Sequence, residues 1–280
     1  MPRILIAGCG YVGEAAANLF HQRGWEVEGW TASAESAEKL ATRPYPVRAV
    51  DLGNIAPQRA AFDVVLQCAS SGGGDAAEYR RLYLEGARNL IQFFPKATFF
   101  FTSSTSVYPQ TGGAMVDECS PAEPTHEKGI ILRAAEDLVL AHGGVVLRLG
   151  GIYGPGRSFF LSNFLSGAAV IGPEDRIINQ VHRDDIVSAV LLLAERRVEC
   201  QGEVFNLVDD QPITAREAYG WLSMRLKKPM PPPGIPAAPR KRGESNKRVS
   251  NKKLRALGWQ PCYPSFSVAM VESILPSFGF

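Results

Sequence analysis

Three closely spaced glycines carry the first chemical possibility in this sequence. In Ile4-Leu5-Ile6-Ala7-Gly8-Cys9-Gly10-Tyr11-Val12-Gly13 a short apolar run ends in Gly-x-Gly-x-x-Gly, and the alanine-rich stretch Ala15-Ala16-Ala17-Asn18-Leu19 follows. A strand that feeds a glycine turn and leaves as a helix points unpaired helical N–H groups at whatever lies over the turn. That arrangement attracts a dinucleotide diphosphate. Gly8 would make the tight turn, Gly10 would let the backbone approach the anion, and Gly13 would let helix and strand pack closely, with Tyr11 and Val12 flanking the ligand.

Further residues fall where the rest of such a ligand would run. The second apolar strand ends in Trp30-Thr31-Ala32-Ser33, with no acid at its tip to bind a ribose 2′-hydroxyl, because Glu28 lies inside the strand. Thr31 and Ser33 tolerate a 2′-phosphate, which favours NADP over NAD as the cofactor. Asp51-Leu52 is placed for the adenine edge, and Cys68-Ala69-Ser70-Ser71 for the phosphates and nicotinamide ribose.

The elements that must hold these residues alternate in type. Apolar runs of strand length stand near residues 3–7, 25–30, 47–50, 63–68, 97–102, 145–149, 177–181 and 203–208; helical patterns fill 13–23, 76–94, 127–141, 184–196 and 214–226. This alternation predicts an α/β fold, a doubly wound parallel Rossmann sheet with a smaller C-terminal substrate lobe. The nucleotide-binding domain is expected over 1–150 and 181–205, the lobe over 151–180 and 206–280. Pro229, Pro231, Pro232, Pro233, Pro236 and Pro239 deny the backbone donors a helix or central strand needs, so an extended connector is expected there. The basic stretch behind it contains Arg240, Lys241, Arg242, Lys247, Arg248, Lys252, Lys253 and Arg255 against Glu244, either as a solvated face or as a clamp for an anionic substrate group.

Composition narrows the functional classes. A net charge of +2 over 280 residues is no footprint for nucleic acid or an anionic membrane. Five scattered cysteines, odd in number and without a C-x-x-C pair, fit a reducing cytoplasm better than disulfides or a metal site. Met1–Ala7 reads as a first strand, not a signal peptide, and no apolar run approaches the ~18 residues of a membrane span. A small-molecule substrate is the partner such a chain implies, in a monomer or homodimer; helices 76–94 and 127–141 are the candidate dimer faces.

From Thr102 onward further motifs accompany the glycine loop: Phe101-Thr102-Ser103-Ser104-Thr105-Ser106-Val107-Tyr108, Asp117-Glu118, Leu147-Arg148-Leu149-Gly150-Gly151-Ile152-Tyr153-Gly154-Pro155-Gly156, Val181-His182-Arg183-Asp184-Asp185 and Phe205-Asn206-Leu207. Together they resemble the extended short-chain dehydrogenase/reductase family, the NAD-dependent epimerase/dehydratase group. The resemblance implies a catalytic Ser or Thr, matched by Ser104, and a Tyr-x-x-x-Lys pair on one helix. That pair is missing. If Glu136 matches the family's glutamate, Lys128 stands at the tyrosine position and Leu132 at the lysine position, and no tyrosine occurs between Tyr108 and Tyr153. In this the chain resembles the atypical YeeZ-like members.

Two functional classes follow. One is an oxidoreductase or epimerase with Ser104, Lys128 and Tyr108 as its catalytic groups, His126 or His182 as other proton donors, and a small carbonyl/hydroxyl or nucleotide-sugar substrate. Arg148, Tyr153, Arg157 and Arg248 would hold that substrate, and the resemblance adds Arg176 and Lys252 as possible diphosphate partners. The other class is a catalytically inactive NAD(P)-binding sensor or scaffold. Retention of Ser104 and the Arg148–Gly156 segment argues for turnover, and loss of the Tyr/Lys pair argues against it.

Overall fold

The computed structural model describes residues 1–56, 60–235 and 245–280; Pro236, Pro239, Arg240, Lys241, Arg242 and Glu244 lie outside the described residues. Strands β1 (Arg3–Ala7), β2 (Glu26–Thr31), β3 (Val47–Ala49), β4 (Val64–Gln67) and β5 (Thr98–Ser104) join Val145–Leu149 and Val204–Leu207 in one seven-stranded sheet. Every pairing in it is parallel, and the order is Val204–Leu207, Val145–Leu149, β5, β4, β1, β2, β3.

Side-chain alternation explains why this sheet is wound on both faces. Along β1, Ile4 and Ile6 enter the cluster containing Ala16, Ala17 and Phe20 of helix α1 (Tyr11–Gln22), whereas Leu5 and Ala7 enter the opposite cluster with Leu90, Phe101 and Val139. Adjacent Phe100 and Phe101 divide in the same way. A strand with both faces buried needs apolar side chains at successive positions, and the sequence supplies them.

The chain leaves β1 for β2 and β3 on one side, then returns to β4 on the other. Loops after β1 and β4 therefore diverge at the carboxyl edge of the sheet. Such a divergence opens a crevice at the topological switch point, where α/β sheets bind ligands.

The run expected as a strand over 177–181 does not join the sheet. It divides into Ile177–Ile178, antiparallel to Ile213–Thr214, and Gln180–His182, parallel to Gly151–Tyr153. Asn179 lies between the halves, with its side-chain amide donating to the Lys247 carbonyl and accepting from Val249 N–H. The helical pattern over 76–94 is realised as Ala76–Tyr79, a π-helical stretch Arg80–Glu85, and Gly86–Phe93. A Cβ on Gly86 would sit 3.2 Å from both Gln67 Nε2 and Leu52 Cβ, so glycine lets this helix press onto β4.

A third apolar cluster forms away from the sheet, from Tyr153, Phe160, Leu161, Phe164, Tyr219, Leu222, Phe266 and Met270. It rests on helix Phe159–Ser166, capped by the Ser158 hydroxyl and ended by Gly167 at φ 74°, and on helix Ala215–Leu226. Among the described residues no helix is long and apolar enough to cross a membrane.

Candidate active site

The crevice at the switch point is a cavity of about 420 Å³ lined by the glycine loop, the ends of β2, β4 and β5, and the start of helix Glu127–Ala141. The three glycines have different reasons to be there. Gly8 has φ +112°, and a Cβ on it would come within 2.2 Å of Ala69 N; a Cβ on Gly13 would come within 2.1 Å of Gly8 O. These two are demanded by the protein's own packing. Gly10 has no atom within 4 Å of its missing Cβ, which leaves open space directly over the turn. An open cradle above the first N–H groups of α1 fits a diphosphate.

The remaining residues of the nucleotide reading are mostly at this cavity. Gly8, Gly10, Tyr11, Val12, Thr31, Asp51, Leu52, Cys68, Ala69 and Ser70 line it. Gly13 stands behind the loop. Ser33 does not line the cavity: its hydroxyl caps the short helix Ala34–Glu38 by accepting from Ser36 N–H at 3.2 Å, and Ser36 lines the cavity instead. The Glu28 carboxylate is held inside by Trp30 Nε1 at 2.7 Å and by Arg48, so it cannot serve a ribose. Asp51 accepts from Gly53 N–H and pairs with Arg81, which also holds Glu78. Burial pushes the Cys9 thiol up to about 12 and raises the Cys68 thiol too, so neither is a nucleophile at neutral pH.

The serine run ends differently from residue to residue. Thr102 donates to the Gln67 carbonyl, and Ser103 donates to Glu136 at 2.5 Å. Ser104 accepts from Ser106 N–H at 3.2 Å, which orients its oxygen while its own proton has no acceptor among the described residues. Ser104 lines the cavity.

Helix Glu127–Ala141 brings Lys128 and Leu132 to the same cavity, one turn apart. Lys128 Nζ donates to the Gly74 carbonyl at 2.6 Å and stands 4.9 Å from the centre of the Tyr79 ring. His126 caps this helix: Nδ1 accepts from Gly129 N–H at 3.0 Å, which leaves the Nε2 proton for the Ser106 carbonyl at 3.4 Å. Both nitrogens are thus committed to holding the helix start against the serine run.

Several expected site residues are elsewhere. Tyr108 is fully buried, its hydroxyl donating to Asn206 Oδ1 at 2.9 Å and accepting from Arg148 at 2.8 Å, so it is no acid or base for a ligand. Arg148 is 3% exposed and gives Nε and Nη2 to Glu136, itself completely buried and also paired with Arg133. Period-two alternation on its strand places Arg148 with Val146 on the face that packs with Leu5, Phe101 and Val139, and its partner is internal, not a substrate. Tyr153 is buried with its hydroxyl 3.4 Å from Asp209. Arg248 is exposed on the strand Lys247–Val249 and donates to the Gly113 carbonyl, outside the cavity. His182 is buried against Tyr263, with Nε2 2.9 Å from Ser273 Oγ, and burial pushes its imidazole down to about 4. Asp185 does not meet it; that carboxylate takes the N–H groups of Cys262 and Tyr263. Arg176 pairs with Glu174, and Lys247 is buried on the Tyr108 carbonyl. Of the expected substrate residues, Arg157 lines the cavity, its guanidinium 5.3 Å from the centre of the Tyr11 ring.

Ser71 lines the cavity as expected, and so do Tyr79, Arg81 and Tyr83, which the sequence did not single out. The triplet Gly72-Gly73-Gly74 that brings that segment back over the site was a usable signal, since Gly72 and Gly73 take positive φ.

Comparison with known proteins decides the family. The sequence model of the NAD dependent epimerase/dehydratase family matches residues 4–207. The chain belongs to that family. It is 28% identical to Protein YeeZ of Escherichia coli (strain K12) over 225 residues, 74% of this chain and 77% of that protein. Among solved structures it is similar to a functionally unknown conserved protein from Silicibacter pomeroyi, with a TM-score of 0.80, 25% identity and 97% of each chain covered. A dTDP-glucose 4,6-dehydratase from Bacillus anthracis in complex with NAD superposes with a TM-score of 0.81 at 16% identity, covering 100% of this chain and 97% of that one, which bears on the fold.

Proposed function

We propose that this protein is a nicotinamide-dependent oxidoreductase or epimerase acting on a small carbonyl or hydroxyl compound, with NADP as the preferred cofactor. One observation carries the proposal: the open cradle of the glycine loop and the side chains of Ser104 and Lys128 face one continuous cavity. A pure nucleotide sensor has no need of an oriented hydroxyl with a free proton and an ammonium group lining its nucleotide cleft.

The residues fit a dinucleotide. Gly10, Tyr11 and Val12 receive the diphosphate, Asp51 and Leu52 take the adenine end, and Cys68, Ala69 and Ser70 follow the nicotinamide ribose. NADP is preferred because no acid stands at the tip of β2 to repel a 2′-phosphate and the Ser36 hydroxyl, just beyond it, lines the cavity, while the Thr31 hydroxyl donates to the Ser33 carbonyl. A bound nicotinamide supplies a hydride donor or acceptor. Ser104 then donates to the substrate oxygen, and the Lys128 ammonium balances charge on that oxygen and exchanges a proton with it. Arg157, from the segment 151–180 that with 206–280 makes the substrate lobe, closes the cavity beside the loop. Leu132 replaces the cation that family enzymes place under the tyrosine, so Lys128 works without a lysine partner.

The test follows nicotinamide absorbance while small carbonyl compounds and nucleotide sugars are screened, then repeats any active pair with Ser104→Ala. Loss of about 100-fold in kcat with nucleotide affinity unchanged is expected for removal of one such donor. Unchanged turnover in that variant removes Ser104 from the chemistry.

A further inference from the structure

Lys128 differs in kind from the tyrosine it replaces. A phenol is neutral at physiological pH, whereas an ammonium brings a full charge into a half-buried position, and such a charge is costly without a counter-ion. Of the other cations that line the cavity, Arg81 pairs with Asp51 and Glu78, and Arg157 stacks on the Tyr11 ring. Lys128 has the neutral Gly74 carbonyl and the face of Tyr79, and no carboxylate pairs with it among the described residues.

We infer, building on the hydride-transfer function proposed above, that the cavity takes a small carboxylic acid whose carboxylate lies beside its carbonyl or hydroxyl group, an oxo acid or the corresponding hydroxy acid, with Lys128 as its counter-ion. An ammonium has three donors. One is used on Gly74, which leaves two for a ligand, enough to hold a carboxylate oxygen and the neighbouring carbonyl oxygen together. The Ser104 hydroxyl offers a further donor to the same group. Leu132, one turn along, lines the same cavity without charge, so Lys128 is the one cation this helix presents there among the described residues. A single ammonium with two free donors suits a small carboxylate. Arg157, also without a carboxylate partner among the described residues, is stacked on Tyr11 at the glycine loop. This substrate class differs from a nucleotide sugar in where its charge lies: at the reacting end, not on a remote diphosphate.

Calorimetric titration tests this without turnover. NADP binding is measured first on wild type, Lys128→Met and Lys128→Arg, with melting temperatures to check folding. Each NADP-saturated protein is then titrated with oxalate, with neutral oxamide and with inorganic phosphate. Wild type should bind oxalate more tightly than oxamide or phosphate. Lys128→Met should weaken oxalate binding by about tenfold or more, the size of one lost charge-assisted hydrogen bond, and Lys128→Arg should retain most of it. Equal oxalate affinity in wild type and Lys128→Met, equal affinity for oxamide, tighter binding of phosphate, or no oxalate binding by a protein that holds NADP would each overturn the inference and leave the nucleotide site standing. Failure to bind NADP would overturn the proposed function itself.

Discussion

At the scale of single residues, the side chains that carry charge divide into those neutralised inside the protein and those left facing the cavity. Glu136 belongs to the first group. It is completely buried and receives Ser103, Arg133 and Arg148, so it positions the end of β5 from behind while Ser104, the next residue, faces the ligand side. Removing one partner of a buried ion pair leaves an uncompensated charge, here on Arg148, and costs about 3–5 kcal/mol. Glu136→Ala should therefore lower stability by that order in chemical denaturation; a change near zero would mean Arg148 reaches solvent. The same pairing explains where sequence reasoning failed. Arg148, Tyr108 and Tyr153 are polar residues in motifs of the family, and their types alone cannot separate a side chain aimed at a ligand from one satisfied within the core. The structure separates them through Glu136, Asn206 and Asp209, partners that are distant in sequence.

At the scale of elements, the glycine turn and the strand and helix that flank it were legible because all the information is local. Apolar runs located the interior strands β1, β4, β5 and Val145–Leu149 because burial on both faces calls for apolar residues at successive positions, whereas edge strand β3, exposed at Arg48 and Ala49, is short and marked by Val47 and its neighbours. The Ile177–His182 region was not legible, because what keeps it out of the sheet is the side chain of Asn179 meeting Lys247 and Val249. Helix Phe159–Ser166 escaped notice because its eight residues make only two turns of pattern and exposed Phe159 stands on its polar side. The turn itself yields a prediction that separates fold from ligand. Gly13→Ala must displace the Gly8 carbonyl and should lower the melting temperature, whereas Gly10→Ala meets no protein atom and should melt like wild type while binding nucleotide more weakly. Thermal melts with and without NADP check both. A Gly10→Ala protein with unimpaired nucleotide binding would show that the ligand does not approach this turn.

At the scale of the whole molecule, the third apolar cluster and the sheet meet around buried ionisable groups that set the response to pH. Asp209 is 3% exposed, its Oδ1 has no partner among the described residues, and burial pushes its carboxyl up to about 8; Asp185 is pushed up to about 6 in the same way. The folded protein keeps protons that the unfolded chain releases above its ordinary carboxylate value. The stability these two contribute is therefore full below about pH 4 and is lost as pH rises through 6 for Asp185 and 8 for Asp209. His182, pushed down to about 4, acts in the other direction: its contribution is present above the ordinary imidazole value and is lost as pH falls towards 4. Between pH 6.5 and 8.5 Asp209 dominates, so the melting temperature of wild type should decline across that window and the decline should be much reduced in Asp209→Asn. Identical profiles would mean the carboxyl reaches water.

In the proposed function the cradle above Gly10 holds a nicotinamide dinucleotide and the tip of β2 prefers the 2′-phosphate. It is tested most directly by titrating the protein with NADP, NADPH, NAD and NADH and following binding by calorimetry. Saturable one-to-one binding is expected, with dissociation constants of NADP and NADPH in the micromolar range, about −8 kcal/mol, and weaker binding of NAD and NADH. Binding of none of the four would contradict it.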